Sequence, residues 1–370
     1  MQPVSRRGFG ALSFGGVLAL TGRRVARAAD AELDAAVAAV LAGLSLRDKV
    51  AQMFTVPVLD VALSPEESAF LSEYRPGGVL LVQNNIGSDD EVIAMNAAII
   101  ASNPALPPFR SVDQEGGIVA RLAGDPAPDA PAMGMLPDED VSALAHARSE
   151  FLAGYGFDIN FAPVADIAWM PESFMTGRSF GSDPVLVAEK TAAYVEGVAD
   201  TLVLHCAKHF PGHGRPSTDS HEALPTVDLD AATWKESDGL PFIAAIDAGV
   251  PMVMLGHLLY PQWDALPASI SPAAVAMLRD ELGFDGVIVS DDLGMGALSA
   301  WTGTEVVDLA VAAGMDMLLY AMPPQPPAEL IDHLVARVES GEVPETRIDD
   351  SVRRLLAMKL GNAARAANAG

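Results

Sequence analysis

Ionisable side chains directly follow five apolar stretches of this sequence, at the points where predicted strands end. They are Asp113, Asp166, Lys208-His209, His257 and Asp291-Asp292. Carboxylates act as nucleophiles and as acids or bases, and imidazoles exchange protons near neutral pH. One polar residue at a strand end would carry little information, but five of these types indicate an enzyme.

The segment after the predicted fifth strand is rich in Gly, Pro and His and runs from Lys208 to His221. Asp219 and His221 are two residues apart, so an extended loop would let the carboxylate orient the imidazole. Such an imidazole can protonate a leaving group and then take a proton from water. The alternative is a loop whose histidines only cap turns.

The segment 277–291 predicts a helix, a Gly-containing turn and a buried strand that ends at Asp291. A carboxylate in that position can attack the anomeric carbon of a sugar and form a covalent glycosyl intermediate. Asp292 must point away from Asp291 if the strand geometry persists. We therefore expect Asp292 to pack against, or support, its neighbour.

Metal binding is a competing interpretation, because His205, His209 and His213 recur at intervals of four. On a helix they would share one face, as zinc ligands can. However, the sequence Phe210-Pro211-Gly212 interrupts any helix there, and His205 lies in a strand-like run. We therefore predict no metal site and expect His205 to be a buried, hydrogen-bonded core residue.

The elements that must position these residues alternate between short strands and amphipathic helices. Strands are predicted at 52–58, 78–82, 109–113, 159–166, 203–209, 251–257, 287–291 and 317–320, and helices at 89–101, 141–154, 184–200, 233–248, 272–282 and 304–313. Apolar strands separated by single helices imply parallel pairing. Eight of them predict an α/β fold, a single (β/α)8 TIM-type barrel, whose active site lies at the carboxyl ends of the strands.

The composition excludes several classes of protein. The 370 residues are 50% hydrophobic and 19% charged, which argues against a disordered chain. The net charge of −26 argues against a nucleic-acid partner. The single cysteine, Cys206, excludes a disulfide framework.

The first 28 residues resemble an export signal of the twin-arginine type. Arg6-Arg7 precede an apolar run at 11–20, and Ala26-Arg27-Ala28 resembles a cleavage site. The alternative is a disordered basic tail with an accidental apolar patch. We expect residues 29–370 to form the catalytic domain, exported to the periplasm or outside the cell, without a membrane span.

The chain resembles glycoside hydrolase family 3, in its bacterial β-N-acetylhexosaminidase (β-N-acetylglucosaminidase) branch. The motifs that carry the likeness are Asp113-Gln114-Glu115-Gly116-Gly117, Lys208-His209-Phe210-Pro211-Gly212-His213-Gly214, Asp219-Ser220-His221 and Ser290-Asp291-Asp292-Leu293. The Asp-Ser-His element marks this branch, since glucosidase members supply a distant carboxylate instead. Larger members carry a second α/β sandwich domain, which we do not expect here.

The resemblance implies a role for each matching residue. Asp291 would be the nucleophile, and His221 the acid/base with Asp219 as its partner. Residues that would bind the sugar are Asp113, Arg178, Lys208 and His209. Further candidates for the pocket are Arg121, Asp166, His213 and His257. The implied reaction is a retaining hydrolysis that releases terminal β-linked N-acetylglucosamine from peptidoglycan fragments or chito-oligosaccharides, without a cofactor. Because the predicted site is self-contained, we expect a monomer.

Two positions depart from the family pattern. Ile118 stands where the family usually has Arg, and Arg215-Pro216 where it has an Asp-Thr pair. Both changes bear on substrate preference rather than on the chemistry. Two other functions stay open: a β-glucosidase of the same family, and a catalytically silent, exported cell-wall-binding protein.

Overall fold

The computed structural model describes residues 31–369. Eight parallel strands form one sheet: β1 (Phe54–Pro57), β2 (Gly78–Leu81), β3 (Phe109–Val112), β4 (Ile159–Asn160), β5 (Leu204–Phe210), β6 (Met252–Leu255), β7 (Val287–Ser290) and β8 (Leu318–Leu319). Their order is β7-β6-β5-β4-β3-β2-β1-β8, and a parallel bridge from Val289 to Met317 joins the two outer strands. The sheet therefore closes into the predicted (β/α)8 barrel.

Helices surround the barrel. They are α1 (31–43), α2 (Leu46–Gln52), α3 (Pro65–Tyr74), α4 (Asp89–Ser102), α5 (Ala130–Met133), α6 (Asp138–Gly154), α7 (Pro184–Gly197), α8 (Ala231–Lys235), α9 (Leu240–Asp247), α10 (Pro272–Ala276), α11 (Gly303–Ala313), α12 (Pro327–Glu339) and α13 (Glu345–Ala369). Several begin with a capping box, as at Ser88 and Glu91 of α4. Strands β2, β6 and β7 are buried along their whole length, because helices cover one face and side chains fill the barrel behind the other.

The two ends of the barrel differ in what covers them. Helix α13 crosses the amino-terminal end, where Asn362 Nδ2 donates to the carbonyl of Leu202 and Lys359 Nζ to that of Pro107. The carboxyl ends of the strands lead into longer loops, which leave a cleft between them. This is the end at which barrel enzymes carry their active sites.

Three predicted elements differ most from the structure. The predicted helix 272–282 is α-helical only over α10 and continues as a π-helix at Met277–Glu281. The predicted helix 233–248 is divided into α8 and α9, because Gly239 caps a new helix that carries Pro241 in its first turn. The predicted strand 159–166 forms a ladder only at Ile159–Asn160, after which Pro163 offers no backbone N–H and only a bridge from Val164 to Lys208 continues the pairing.

The export signal predicted for residues 1–28 lies outside the described residues. Within 31–369, no helix is both long and apolar enough to cross a bilayer.

Candidate active site

A cleft of about 560 Å³ opens among the loops at the carboxyl ends of the strands. Of the eleven residues predicted to act in catalysis, to bind the sugar or to line the pocket, eight line this cleft: Asp113, Arg121, Arg178, Lys208, His209, His213, His221 and Asp291. They come from the ends of β3, β5 and β7 and from the loops after β3, β4 and β5. The fold therefore brings together groups that lie up to 178 positions apart along the chain.

Lys208, near the end of β5, lies between two carboxylates at the base of the cleft. Its Nζ is 2.6 Å from Oδ1 of Asp113 and 2.7 Å from Oε1 of Glu115. Burial opposes the charge on Lys208, but these two carboxylates raise its pKa. Since an ammonium group has three N–H donors, one remains available to a ligand in the cleft.

Arg178 also pairs with Glu115, through two parallel hydrogen bonds. Its Nε donates to Oε2 at 2.9 Å and its Nη2 to Oε1 at 2.7 Å. Burial alone would raise the pKa of Glu115, but Lys208 and Arg178 hold it well below its usual range. Glu115 was missed as a site residue in the sequence, although it belongs to the same motif as Asp113.

His209 is fixed by Asp166, which lies behind it. The pKa of Asp166 stays low despite burial because of His209 and His213, so the ionised carboxylate accepts a hydrogen bond of 2.7 Å from Nδ1–H of His209. The same carboxylate accepts the backbone N–H groups of His209 and His213. Asp166 was predicted to line the pocket. Instead it is fully buried and orients two residues that do.

Asp291 directly follows β7 and reaches the cleft. Burial would raise its pKa, but His209, His257, the backbone N–H of Asp292 and Lys208 lower it to about 2. The Asp292 N–H donates to Oδ1 of Asp291 at 2.8 Å. Asp291 is therefore a fixed, ionised carboxylate at neutral pH.

The side chains of Asp292 and His257 stabilise the turn after Asp291. As expected, the Asp292 carboxylate is engaged away from Asp291, since it accepts the backbone N–H groups of Gly294 and Ala321. His257, also predicted to line the pocket, is buried instead; its ring bonds Ser269 and the carbonyl of Asp292. His257 supports the turn from outside the cleft.

His221 and Asp219 form a pair on the loop after β5. The pKa of Asp219 is lowered, because hydrogen bonds from the backbone and ring of His221 outweigh its burial. The carboxylate therefore accepts from Nδ1–H of His221 at 2.7 Å. The imidazole is 56% exposed, and its Nε2 has no hydrogen-bond partner in the described chain. That nitrogen is free to exchange a proton with a ligand.

This loop is fastened to the segment that follows β7. The carbonyl of His221 accepts the N–H of Gly296, and that of Ser220 accepts the N–H of Ala297. A Cβ atom at position 296 would lie 2.6 Å from the His221 oxygen, so only glycine allows this approach. The candidate acid/base and the candidate nucleophile are thus linked through backbone hydrogen bonds.

Two further residues contribute to the site: Phe174 was not found from the sequence, and the partner of Arg215 was not predicted. Phe174 packs edge-on against His221, with ring centroids 6.1 Å apart, and lies against His213 and Arg178. Arg215, a departure from the family pattern, pairs with the buried carboxylate of Asp238 at 2.7 Å. Arg215 thereby anchors the loop upstream of Asp219.

The loop after β3 is organised by Arg148 of α6. The buried guanidinium donates to Asp125 at 2.8 Å and to the carbonyls of Glu115, Ala127 and Pro128. A Cβ atom on Gly116 would lie 2.6 Å from its Nη2. Through this loop Arg148 holds Arg121, whose Nη2 lies 3.9 Å from Oδ2 of Asp113.

The three histidines considered as zinc ligands have separate partners. His205 bonds Ser149 and is buried as predicted, His209 bonds Asp166, and His213 bonds Ser220. Burial lowers the pKa of His205 to about 3 and that of His213 to about 4. Among residues 31–369 no group of three or more His, Cys, Asp or Glu side chains is arranged to hold a metal ion.

Comparison with known proteins identifies the family. Residues 45–358 match the model of the glycosyl hydrolase family 3 N terminal domain. Beta-hexosaminidase LpqI of Mycobacterium tuberculosis is 38% identical over 339 residues, which cover 87% of this chain and 84% of that protein.

Solved structures of family 3 enzymes are also similar to this chain. The family 3 β-N-acetylglucosaminidase from Paenibacillus sp. str. FPU-7 has a TM-score of 0.83 and 36% identity, over 88% of this chain and 64% of that longer chain. The β-N-acetylhexosaminidase from Beutenbergia cavernae has a TM-score of 0.79 and 31% identity, over 85% and 98%. The chain therefore belongs to glycoside hydrolase family 3.

Proposed function

We propose that this protein is a β-N-acetylhexosaminidase that releases terminal, non-reducing β-linked N-acetylglucosamine from peptidoglycan fragments or chito-oligosaccharides. The observation that carries the proposal is that Asp291 and His221, the latter paired with Asp219, line one cleft. The names of the family members to which the chain is similar support the same activity. We propose export through the twin-arginine-type signal, which would place the enzyme with such cell-wall substrates.

The sugar to be transferred would sit at the base of the cleft. Three polar groups there keep capacity for its hydroxyls: the third N–H of Lys208, Oδ2 of Asp113 and Nη1 of Arg178, which forms no hydrogen bond in the described chain. Glu115 holds Lys208 and Arg178, and Lys208 in turn holds Asp113, so little ordering is needed on binding. Preorganised donors and acceptors of this kind hold the ring for attack.

In the first step, Asp291 attacks the anomeric carbon. A bond forms between this carbon and a carboxylate oxygen while its bond to the glycosidic oxygen breaks. Protonated His221 donates its Nε2 proton to the departing oxygen, and Asp219 stabilises the imidazolium through Nδ1–H. The pKa of about 2 keeps Asp291 ionised for this attack.

In the second step, neutral His221 accepts a proton from water through Nε2. The water oxygen bonds to the anomeric carbon, and the ester bond to Asp291 breaks, so the product retains its β configuration. Asp291 leaves readily because it is a weak base. An imidazole in place of the usual second carboxyl group avoids another anion beside Asp291.

The test uses p-nitrophenyl β-N-acetylglucosaminide and the matching glucoside. Asp291→Ala should lower turnover of the first by at least about a thousandfold. Asp285→Asn is the matched control, an exposed carboxylate at the opposite end of β7, and should retain full activity. Acid-quenched native protein should carry one N-acetylhexosaminyl group on the peptide that contains Asp291.

Three results would contradict the proposal. Faster hydrolysis of the glucoside than of the N-acetylglucosaminide would favour the β-glucosidase alternative. Binding of N-acetylglucosaminides without turnover would favour the wall-binding alternative. Substantial activity in Asp291→Ala would contradict the assignment of the nucleophile.

A further inference from the structure

We propose that Leu59, Ile118 and Met322 form an apolar rim that binds the leaving group, so that the enzyme prefers glycosides whose aglycone is apolar. The inference rests on the proposed function and adds a substrate class to it. The apolar rim denotes these three side chains throughout.

The three side chains are unusually exposed for their type. Leu59 is 79% exposed, Ile118 75% and Met322 66%. They are three of the four most exposed large apolar side chains in the described chain, and all three line the cleft. Single exposed apolar residues are ordinary, but their concentration at one opening marks a binding surface.

Sheet order places the apolar rim along one side of the cleft. Leu59 follows β1, Ile118 follows β3 and Met322 follows β8, and these strands lie in the consecutive order β3-β2-β1-β8. On this side the ionised lining residues are Asp113, Glu115 and Arg121, which contact Lys208 or one another. Asn84, after β2, adds an exposed but uncharged polar side chain on this side. The outer surface is therefore uncharged and mostly apolar, while the base is charged.

The position of the apolar rim identifies its occupant. The charged groups at the base hold the sugar that is transferred, and the barrel closes the cleft beneath them. The leaving group must then point toward the opening, where the apolar rim lies. A second copy of the chain is a poorer candidate, because a net charge of −26 on each copy opposes self-association.

The chemistry of the apolar rim favours aliphatic or otherwise apolar aglycones. Leucine, isoleucine and methionine offer no hydrogen bond to a polar group, and methionine adapts its shape to different partners. Ile118 carries no charge, so this part of the apolar rim offers no ion pair to an anionic group. Of the two proposed substrate classes, we therefore expect chito-oligosaccharides, whose leaving group is uncharged, to be hydrolysed better than peptidoglycan fragments, whose muramyl leaving group carries a carboxylate.

The experiment compares methyl, butyl and hexyl β-N-acetylglucosaminides. All three leave as primary or simple alcohols, so the chemical step is similar and the apolar area of the leaving group is the main variable. We expect kcat/KM to rise at least about tenfold from methyl to hexyl, since each buried methylene can contribute up to about fourfold. The gain should appear in KM with little change in kcat, as for contacts that persist in the transition state.

The variants are Leu59→Ser, Ile118→Ser, Met322→Ser and the triple variant. Because these side chains are exposed, the variants should fold normally. Their kcat/KM for the methyl glycoside should fall much less than that for the hexyl glycoside, since a methyl group offers little apolar area to the apolar rim. In the triple variant, kcat/KM should depend much less on the length of the alkyl group than in the native protein. Val185→Ser is the matched control, since Val185 is 56% exposed on α7, outside the cleft, and should keep the dependence on length.

If the native protein hydrolysed all three N-acetylglucosaminides with the same kcat/KM, the inference about the apolar rim would be wrong, and the proposed function would be unaffected. If only the corresponding alkyl glucosides were hydrolysed, and their kcat/KM still rose with the length of the alkyl chain, the proposed function would be wrong while the apolar rim would still bind the leaving group. Calorimetric Kd values of the three alkyl glycosides for the Asp291→Asn variant compare their binding in the absence of turnover. If the triple variant changes the oligomeric state while the dependence persists, the apolar rim is an interface and the inference is wrong.

Discussion

Nδ1 of His221 lies 2.7 Å from Oδ1 of Asp219, and the same oxygen accepts the backbone N–H of His221 at 2.9 Å. Both partners belong to one three-residue segment, so the orientation of the imidazole is set locally. The ring is 56% exposed, and its Nε2 has no hydrogen-bond partner among the described residues. This arrangement supports the role proposed for His221 in both proton transfers.

The first prediction concerns this pair. His221→Ala should lower kcat/KM about 10²–10⁴-fold for glycosides with poor leaving groups, which need the proton, and less for p-nitrophenyl or dinitrophenyl glycosides. Asp219→Ala should show a smaller loss of the same kind. The double variant should be little worse than His221→Ala, because the two act as a unit.

The measurement is a plot of kcat/KM against the pKa of the leaving group for each variant. Glu222→Gln is the control, a neighbouring exposed carboxylate that should leave the slope unchanged. Equal losses for good and poor leaving groups would argue that His221 is not the proton donor.

The second prediction concerns Arg148 as a positioning residue. Arg148→Met should lower the free energy of unfolding by about 3–5 kcal/mol, since Asp125 would lose its buried partner. Arg148→Lys keeps the charge but cannot reach four acceptors at once. It should fold and raise KM about tenfold by loosening the loop that carries Arg121 and Asp113. An unchanged KM in the lysine variant would show that the loop holds its shape without Arg148.

The barrel and most of the cleft could be predicted from the sequence. Buried parallel strands read as short apolar runs, and a polar residue after such a run reaches the carboxyl end of the barrel. Asp113, Lys208 and Asp291 were identified in this way, and the structure brings them into one cleft. The His205 prediction also holds, because a strand with a helix packed on it leaves the ring facing Ser149.

Contacts between distant segments could not be predicted. Asp166 and His257 resemble Asp113 and Asp291 in sequence, yet they lie behind the cleft, because the path of each loop after its strand decides which way the side chain points. The pairing of Glu115 with Arg178 spans 63 positions and leaves no periodic signal. Phe174 lies in a loop held by contacts with distant segments, such as the hydrogen bond from Ser173 to the carbonyl of Gly214.

The third prediction concerns Glu115, which lies between two buried cations. Glu115→Gln should lower the free energy of unfolding by about 3–5 kcal/mol, because Arg178 loses its carboxylate partner while Lys208 retains only Asp113. Adding Arg178→Gln should restore part of the loss, since the second change removes the unpaired charge. Urea denaturation measures both effects. Additive losses in the double variant would contradict direct coupling between the two residues.

The fourth prediction concerns stability against pH. Burial holds the pKa of His205 at about 3, below its ordinary value of 6.5, so the unfolded chain binds a proton that the folded chain does not between these two pH values. Stability should therefore fall as pH decreases through this window, by about 2 kcal/mol between pH 7 and pH 5 for this residue. His213, with a pKa of about 4, adds a loss in the same direction. His205→Gln, which can still bond Ser149, should reduce the loss by about 2 kcal/mol in urea denaturation at the two pH values. Between pH 7.5 and pH 8 the variant and native protein should respond alike, because the histidine is neutral in both states there. A variant that loses as much stability as the native protein from pH 7 to pH 5 would show that His205 is not responsible.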